Sequence, residues 1–184
     1  MTIIEKDISE QVEFDRRVPY DIEPDLVDAN PLCKVPTLVL DNGHSLFDSK
    51  VICEYLDSLN DTPRLLPISG DERWHVLRLV ALADGMTDAA YNARMESVRP
   101  RGKKSTEAIE GQRDKIRRGI SALETSKLPD PNKPDLGMIA LAATLGYVDL
   151  RHPDLEWRKG HTELQAWMQK VSERTSFRET IPIE

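Results

Sequence analysis

The chain has 184 residues, 39% hydrophobic and 31% charged, enough for one large domain or two small ones around a real core. Twenty-five Lys plus Arg against thirty-two Asp plus Glu leave a formal charge of -7, which argues against a general nucleic-acid binder. No uncharged apolar run approaches the roughly 18 to 20 residues of a membrane helix, and residues 1–7 lack the basic start and apolar stretch of a secretory signal.

Strand-like segments are confined to the first third. Thr2-Ile3-Ile4 is β-branched and reads as a short strand. Pro36-Thr37-Leu38-Val39-Leu40 is a compact apolar run closed by Asp41-Asn42-Gly43, and His44-Ser45-Leu46-Phe47 returns as a second arm. Asn-Gly between apolar runs is a strong hairpin signal, open to a two-residue turn or a slightly longer loop. Asp48 or Ser49 suits the N-cap of a helix whose stripe is Ile52, Tyr55, Leu56 and Leu59. Asn60-Asp61-Thr62-Pro63 stops it, and 64–70 reads as an extended linker.

Beyond Gly70 the pattern is helical. Residues 71–95 are Pro-free, rich in Leu and Ala and apolar nearly all round, which predicts burial on more than one side. Helical spacing returns with Ile109, Ile116, Ile120 and Leu123. After the Pro-spaced loop 129–134, Asp135 caps an apolar helix that His152-Pro153 ends. Thr162-Glu163-Leu164-Gln165 has the form of a capping box and opens a last helix with Leu164, Trp167, Met168 and Val171 on one stripe. The order predicts a small α/β unit followed by an all-α unit.

Asn30-Pro31-Leu32-Cys33-Lys34-Val35-Pro36, the apolar strand after it, and Leu46-Phe47-Asp48-Ser49 opening a helix resemble the glutathione S-transferase family. Its pattern there is Asn-Pro-x-Gly-Lys-Val-Pro, a strand, then an acidic residue and Ser. The resemblance runs on through Ala81-Leu82-Ala83-Asp84-Gly85, Gly146-Tyr147-Val148-Asp149-Leu150-Arg151 and Ser176-Phe177-Arg178, so it spans essentially the whole chain. It implies an incomplete, N-terminally truncated thioredoxin-like domain that binds glutathione over 1–63, a linker over 64–70 and a helical domain over 71–184, in a homodimer. It implies a cis Val35-Pro36 bond, with Val35 pairing its main chain to the cysteinyl part of glutathione like an added strand. Lys34 matches a residue for the glycyl carboxylate. Asp48 and Ser49 match the helix start that holds the γ-glutamyl end, where free amides and a hydroxyl suit a carboxylate and an acid suits an ammonium. Tyr91, Arg94 and Arg99 fall where family members line the pocket for a small hydrophobic electrophile.

Three departures accompany the resemblance. Cys33 stands where the family has Gly; a positive φ there would strain the loop, and its thiol would lie near the tripeptide, open to a mixed disulfide. Met138 stands where the helix after Asp135 usually has Asp. Residues 1–7 look like the family's second strand, so the first strand and helix, of roughly 25 residues in a βαβ unit, which carry the family's catalytic Ser, Cys or Tyr, have no counterpart here; either they precede Met1 in a longer protein or the chain is a remnant without them. The expected activity is conjugation of the glutathione thiolate to an electrophile in detoxification, or a related thiol reaction; the alternative is a non-catalytic interaction module.

The remaining chemistry-bearing residues read as structural. Two cysteines, Cys33 and Cys53, cannot build a disulfide scaffold and lack Cys-x-x-Cys spacing, so a reduced cytoplasmic setting is expected, and Cys53 reads as a small core residue. His44, His75, His152 and His161 have no ligand-like spacing, so no metal is expected. Asp84 and Asp88, four apart on a largely apolar helix, suit capping or an ion pair.

Overall fold

The computed structural model describes residues 1–17 and 23–182. The chain forms two compact units, one over Thr2–Leu66 and one built on Pro67–Glu184.

In the smaller unit the Asn-Gly signal makes a hairpin. β1 (Thr37–Val39) and β2 (Ser45–Phe47) pair antiparallel with Thr37 opposite Phe47 and Val39 opposite Ser45. The longer loop wins. Leu40 N–H donates to the His44 carbonyl and Gly43 N–H to the Leu40 carbonyl, with Gly43 at φ 82°. That is a three-residue connection whose left-handed position glycine fills without steric cost. Helix α3 (Ser49–Ser58) follows directly and buries Ile52 and Leu56, which cluster with Ile8 and with partly buried Ile3, Leu38, Leu46 and Tyr55.

The opening segment corrects the sequence reading. Thr2–Glu5 is one turn of helix, α1, not the family's second strand. Three β-branched residues set only a weak preference, which tertiary contacts override. Here the contacts are Ile3 against the Ile8–Ile52–Leu56 cluster and, just past the helix, a fully buried Lys6. Lys6 Nζ donates to Asp57 Oδ1 at 3.0 Å and to the carbonyls of Asp57, Asn60 and Pro63 at 3.0, 2.8 and 2.7 Å. Asp57 in turn accepts the N–H groups of Leu65 at 2.7 Å and Leu66 at 3.0 Å. Residues 65 and 66, read as linker, therefore have buried side chains and held amides.

The larger unit is helical: α4 (Asp71–Ser97), α5 (Thr106–Glu124), α6 (Leu136–Arg151), α7 (Thr162–Ser172) and a short α8 (Thr175–Arg178). Val76, Leu79, Ala83, Met86, Ala90 and Ala93 of α4 are buried as it packs on both α5 and α6, while Trp74 points outward, 66% exposed. Gly119 lets α5 lie close, since a Cβ there would sit 2.4 Å from Met86 Sδ. Helix α6 is the most heavily buried of them, from Leu136 to Val148, and is capped by Asp135, whose Oδ1 accepts the Met138 N–H at 2.7 Å.

The capping box at Thr162 does not form. Thr162 is the first helical residue and the side chain of His161 before it makes no cap bond. The amides of Glu163 and Leu164 go instead to the two carboxylate oxygens of Glu124, at 3.0 and 2.9 Å. A charged acceptor at a helix N-terminus is stronger than a hydroxyl. His152 is buried, its Nε2 donating to the Ala90 carbonyl at 2.8 Å, and serves packing. Among the described residues no helix is long and apolar enough to cross a membrane.

Candidate functional site

The hairpin register gathers five residues. Thr37 pairs with Phe47, so Pro36, just before β1, lies across from Asp48, just after β2. Lys34, Val35 and Pro36 thus share one end of the hairpin with Asp48 and Ser49 at the start of α3. All five are exposed. The Val35-Pro36 bond is cis, as the resemblance implies.

Main-chain groups dominate this end. Among the described residues neither the N–H nor the C=O of Val35 has a hydrogen-bond partner, and the residue is 44% exposed. At α3, Asp48 Oδ1 accepts the Lys50 N–H at 3.0 Å, which settles the N-cap in favour of Asp48. The amides of Ser49 and Val51 have no partner among the described residues, as first-turn amides do when nothing caps them. Unpaired amides at the positive end of a helix dipole suit a carboxylate.

The loop that presents Val35 is held by a residue the sequence reading used only as part of a motif. Asn30 is 1% exposed. Its Nδ2 donates to the Lys34 carbonyl at 3.0 Å and to Thr37 Oγ1 at 3.2 Å, and its Oδ1 accepts the Leu32 N–H at 3.0 Å. Thr37 Oγ1 donates to the same Lys34 carbonyl at 2.8 Å. The available signal was a short polar amide next to Pro in a loop between apolar runs, where Asn favours local side-chain to backbone bonds.

Cys33 has φ 49°, the left-handed region that its glycine counterpart enters freely, at a cost of roughly 1–2 kcal/mol for a residue with a Cβ. The bond from its N–H to the Asn30 carbonyl, 2.7 Å, closes the same turn. Cys53 is half-buried against Thr2 Oγ1 at 3.3 Å, and burial pushes its thiol pKa up, away from a reactive thiolate.

Three residues, Tyr91, Arg94 and Arg99, are expected to line a second pocket. Tyr91 and Arg94 lie on α4 and Arg99 on the turn after it. Arg99 borders a groove of about 490 Å³ between α4 and α5, with Asn92, Met95, Glu96, Ala108 and Gln112. Arg99 is paired to Glu96 at 3.0 Å, and Glu96 also accepts the Ser105 N–H at 2.8 Å. That backbone bond, with Arg99 second, holds the Glu96 carboxyl below its ordinary range. Asp84 is half-buried and Asp88 exposed on α4. Among the described residues no cluster of His, Cys, Asp and Glu is placed to hold a metal ion.

Comparison with known proteins agrees with this architecture. The sequence model of the glutathione S-transferase N-terminal domain matches residues 1–59, and that of the C-terminal domain matches 106–170. An uncharacterized GST-like protein of Escherichia coli (strain K12), YibF, is 34% identical over 183 residues, 98% of this chain and 90% of that protein. A glutathione transferase family member from Pseudomonas fluorescens Pf-5, solved with bound glutathione, is 40% identical with a TM-score of 0.92, covering all of this chain and 91% of that one. A glutathione S-transferase from Methylobacillus flagellatus KT, with glutathione bound, is 37% identical with a TM-score of 0.89, covering 99% and 91%. With matching domains in order, and a relative alike over nearly its whole length, this chain belongs to the glutathione S-transferase family.

Proposed function

We propose that this protein binds glutathione at the Val35–Ser49 end of the hairpin and uses its thiolate as a nucleophile. The carrying observation is the convergence there of the exposed Val35, whose main-chain groups have no partner among the described residues, with the Ser49 and Val51 amides at the start of α3, which likewise have none there. An extended tripeptide needs both: a strand-like edge for its middle residue and an anion site for its γ-glutamyl carboxylate. In this reading Val35 N–H and C=O take the cysteinyl residue, and Ser49 the γ-glutamyl carboxylate. Asp48, whose second oxygen has no partner among the described residues, takes the ammonium, and Lys34 the glycyl carboxylate. The relatives solved with glutathione bound support the ligand.

The reaction is attack of the thiolate on an electrophilic carbon, forming a carbon–sulfur bond as the leaving group departs or a double bond is saturated. The protein's chemical task is to favour thiolate over thiol near neutral pH. Tyr91, Arg94 and Arg99 are carried over from the family as the electrophile's surroundings, and a homodimer as its assembly.

Titration calorimetry with glutathione, followed by conjugation of chlorodinitrobenzene, tests the proposal. Binding should be saturable, and Ser49→Ala should weaken it by about 1–3 kcal/mol, the value of a hydrogen bond to a charged group. An unchanged dissociation constant in Ser49→Ala removes Ser49 from the site. Binding without turnover replaces the transferase with a non-catalytic glutathione-binding module. Absence of binding by the folded protein ends the reading.

A further inference from the structure

We infer that Asn30 and Thr37 are positioning residues for glutathione: they aim the Val35 N–H at the ligand by tying down the carbonyl on the other side of the same peptide unit. The inference rests on the glutathione-site reading above and names the side chains on which that site's main-chain donor depends.

The geometry leaves little freedom. The Lys34–Val35 peptide is trans and planar, so its C=O and N–H point in opposite directions. The Lys34 carbonyl accepts two hydrogen bonds, from Asn30 Nδ2 at 3.0 Å and Thr37 Oγ1 at 2.8 Å. Asn30 is 1% exposed, so the carbonyl is drawn toward the protein and the Val35 N–H is turned away from it. The exposure of Val35 and the absence of a partner for its N–H among the described residues agree with that orientation.

The donors are themselves fixed. Asn30 Nδ2 spends its second hydrogen on Thr37 Oγ1 at 3.2 Å, which leaves the single Thr37 hydroxyl proton for Lys34. Asn30 Oδ1 accepts the Leu32 N–H, its own N–H goes to the Leu26 carbonyl at 2.8 Å, and its carbonyl accepts from Cys33. Every polar group of Asn30 is used, which sets the amide orientation without ambiguity. Thr37 opens β1, so the strand ladder anchors one end of the clamp and helix α2 (Pro24–Ala29), through the Leu26 carbonyl, the other. A preformed donor binds without the entropy cost of ordering the loop.

The test substitutes Thr37→Val, which keeps shape and strand propensity but removes the hydroxyl, beside Thr37→Ser, which restores it. Titration calorimetry on the folded proteins should show glutathione affinity falling roughly three- to tenfold in Thr37→Val, the loss of one hydrogen bond's worth of orientation, and staying within about twofold of wild type in Thr37→Ser; Thr37→Val also leaves one Asn30 Nδ2 hydrogen without its acceptor, so its melting temperature falls as well. A purely structural role would lower the melting temperature and leave the affinity of the folded protein within about twofold of wild type. In wild type, the Val35 amide proton should shift downfield in the NMR spectrum on addition of glutathione, a measurement independent of any variant's folding. Wild type that binds glutathione with no change at Val35, or a folded Thr37→Val that binds as well as wild type, overturns the inference and leaves the site reading standing. Wild type that fails to bind glutathione overturns both.

Discussion

Replacing Lys6 with Met should destabilise the Thr2–Leu66 unit far more than an ordinary Lys substitution. Lys6 and Asp57 are 0% and 3% exposed and lie 3.0 Å apart. Met keeps most of the aliphatic stem but deletes the charge and all its donors. Asp57 is left as a buried carboxylate without its cation, and three carbonyls, of Asp57, Asn60 and Pro63, lose their donor. Removing one partner of a buried pair costs about 3–5 kcal/mol, against a total stability of about 5–15 kcal/mol for a typical domain. The loss should be read in two ways. Urea unfolding should give a lower midpoint, and hydrogen exchange at the Leu65 and Leu66 amides, both bonded to Asp57, should accelerate by two to three orders of magnitude at about 1.4 kcal/mol per tenfold. Asp57→Asn makes the same point from the other side. Whichever way its amide turns, the NH2 faces one of those two backbone donors. A Lys6→Met protein within 1 kcal/mol of wild type, with unchanged exchange at 65 and 66, would show that the network closes the unit without stabilising it.

Two acidic caps should respond to pH with opposite sign. Burial holds the Asp135 carboxyl above its ordinary range. Folding therefore favours its protonated form, and its contribution to stability falls as pH rises through the folded value, being smallest at neutral pH. Asp135→Asn keeps an oxygen for the Met138 N–H and removes the charge, so it should match or exceed wild type at pH 7 in thermal melts; Asp135→Ala should lose about 1 kcal/mol of cap. Equal losses in the two variants would contradict this account. The Leu164 N–H above all holds Glu124 below its ordinary range, so its contribution is present at neutral pH and lost as pH falls through the folded value. Glu124→Gln should melt lower than wild type at pH 7, with the gap closing in acid. A gap independent of pH would assign the effect to packing.

What could be read from the letters divides by the range of the interaction. The hairpin was legible because Asn42-Gly43 acts within five residues, and Asp48 as cap because its acceptor serves Lys50 two residues on. The buried stripe of α7, from Leu164 to Val171, repeats at helical spacing and needs no partner to be seen. The opening turn was not legible, since what bends Thr2–Glu5 into a helix is a set of contacts some fifty residues away, at Ile52, Leu56 and Asp57. The cap of α7 failed for the same reason. Thr162 and Gln165 compete locally, but Glu124, on another helix, offers a charge.

The candidate site falls between these cases. Lys34, Val35, Pro36, Asp48 and Ser49 came together because a legible turn sets a legible register, and register alone brings Pro36 across from Asp48. The groups proposed to bind are nonetheless amides and a carbonyl, which every non-proline residue carries, so no side chain at Val35 announces them. What distinguishes one such amide is the bonding of its neighbours: Val35 N–H is open because the Lys34 carbonyl is taken twice. Specificity of this kind is written in the supporting residues, Asn30 and Thr37, and a substitution there changes the donor without touching it. Affinity should accordingly tolerate changes in the exposed Val35 side chain better than the loss of the buried Asn30 amide or the Thr37 hydroxyl behind it.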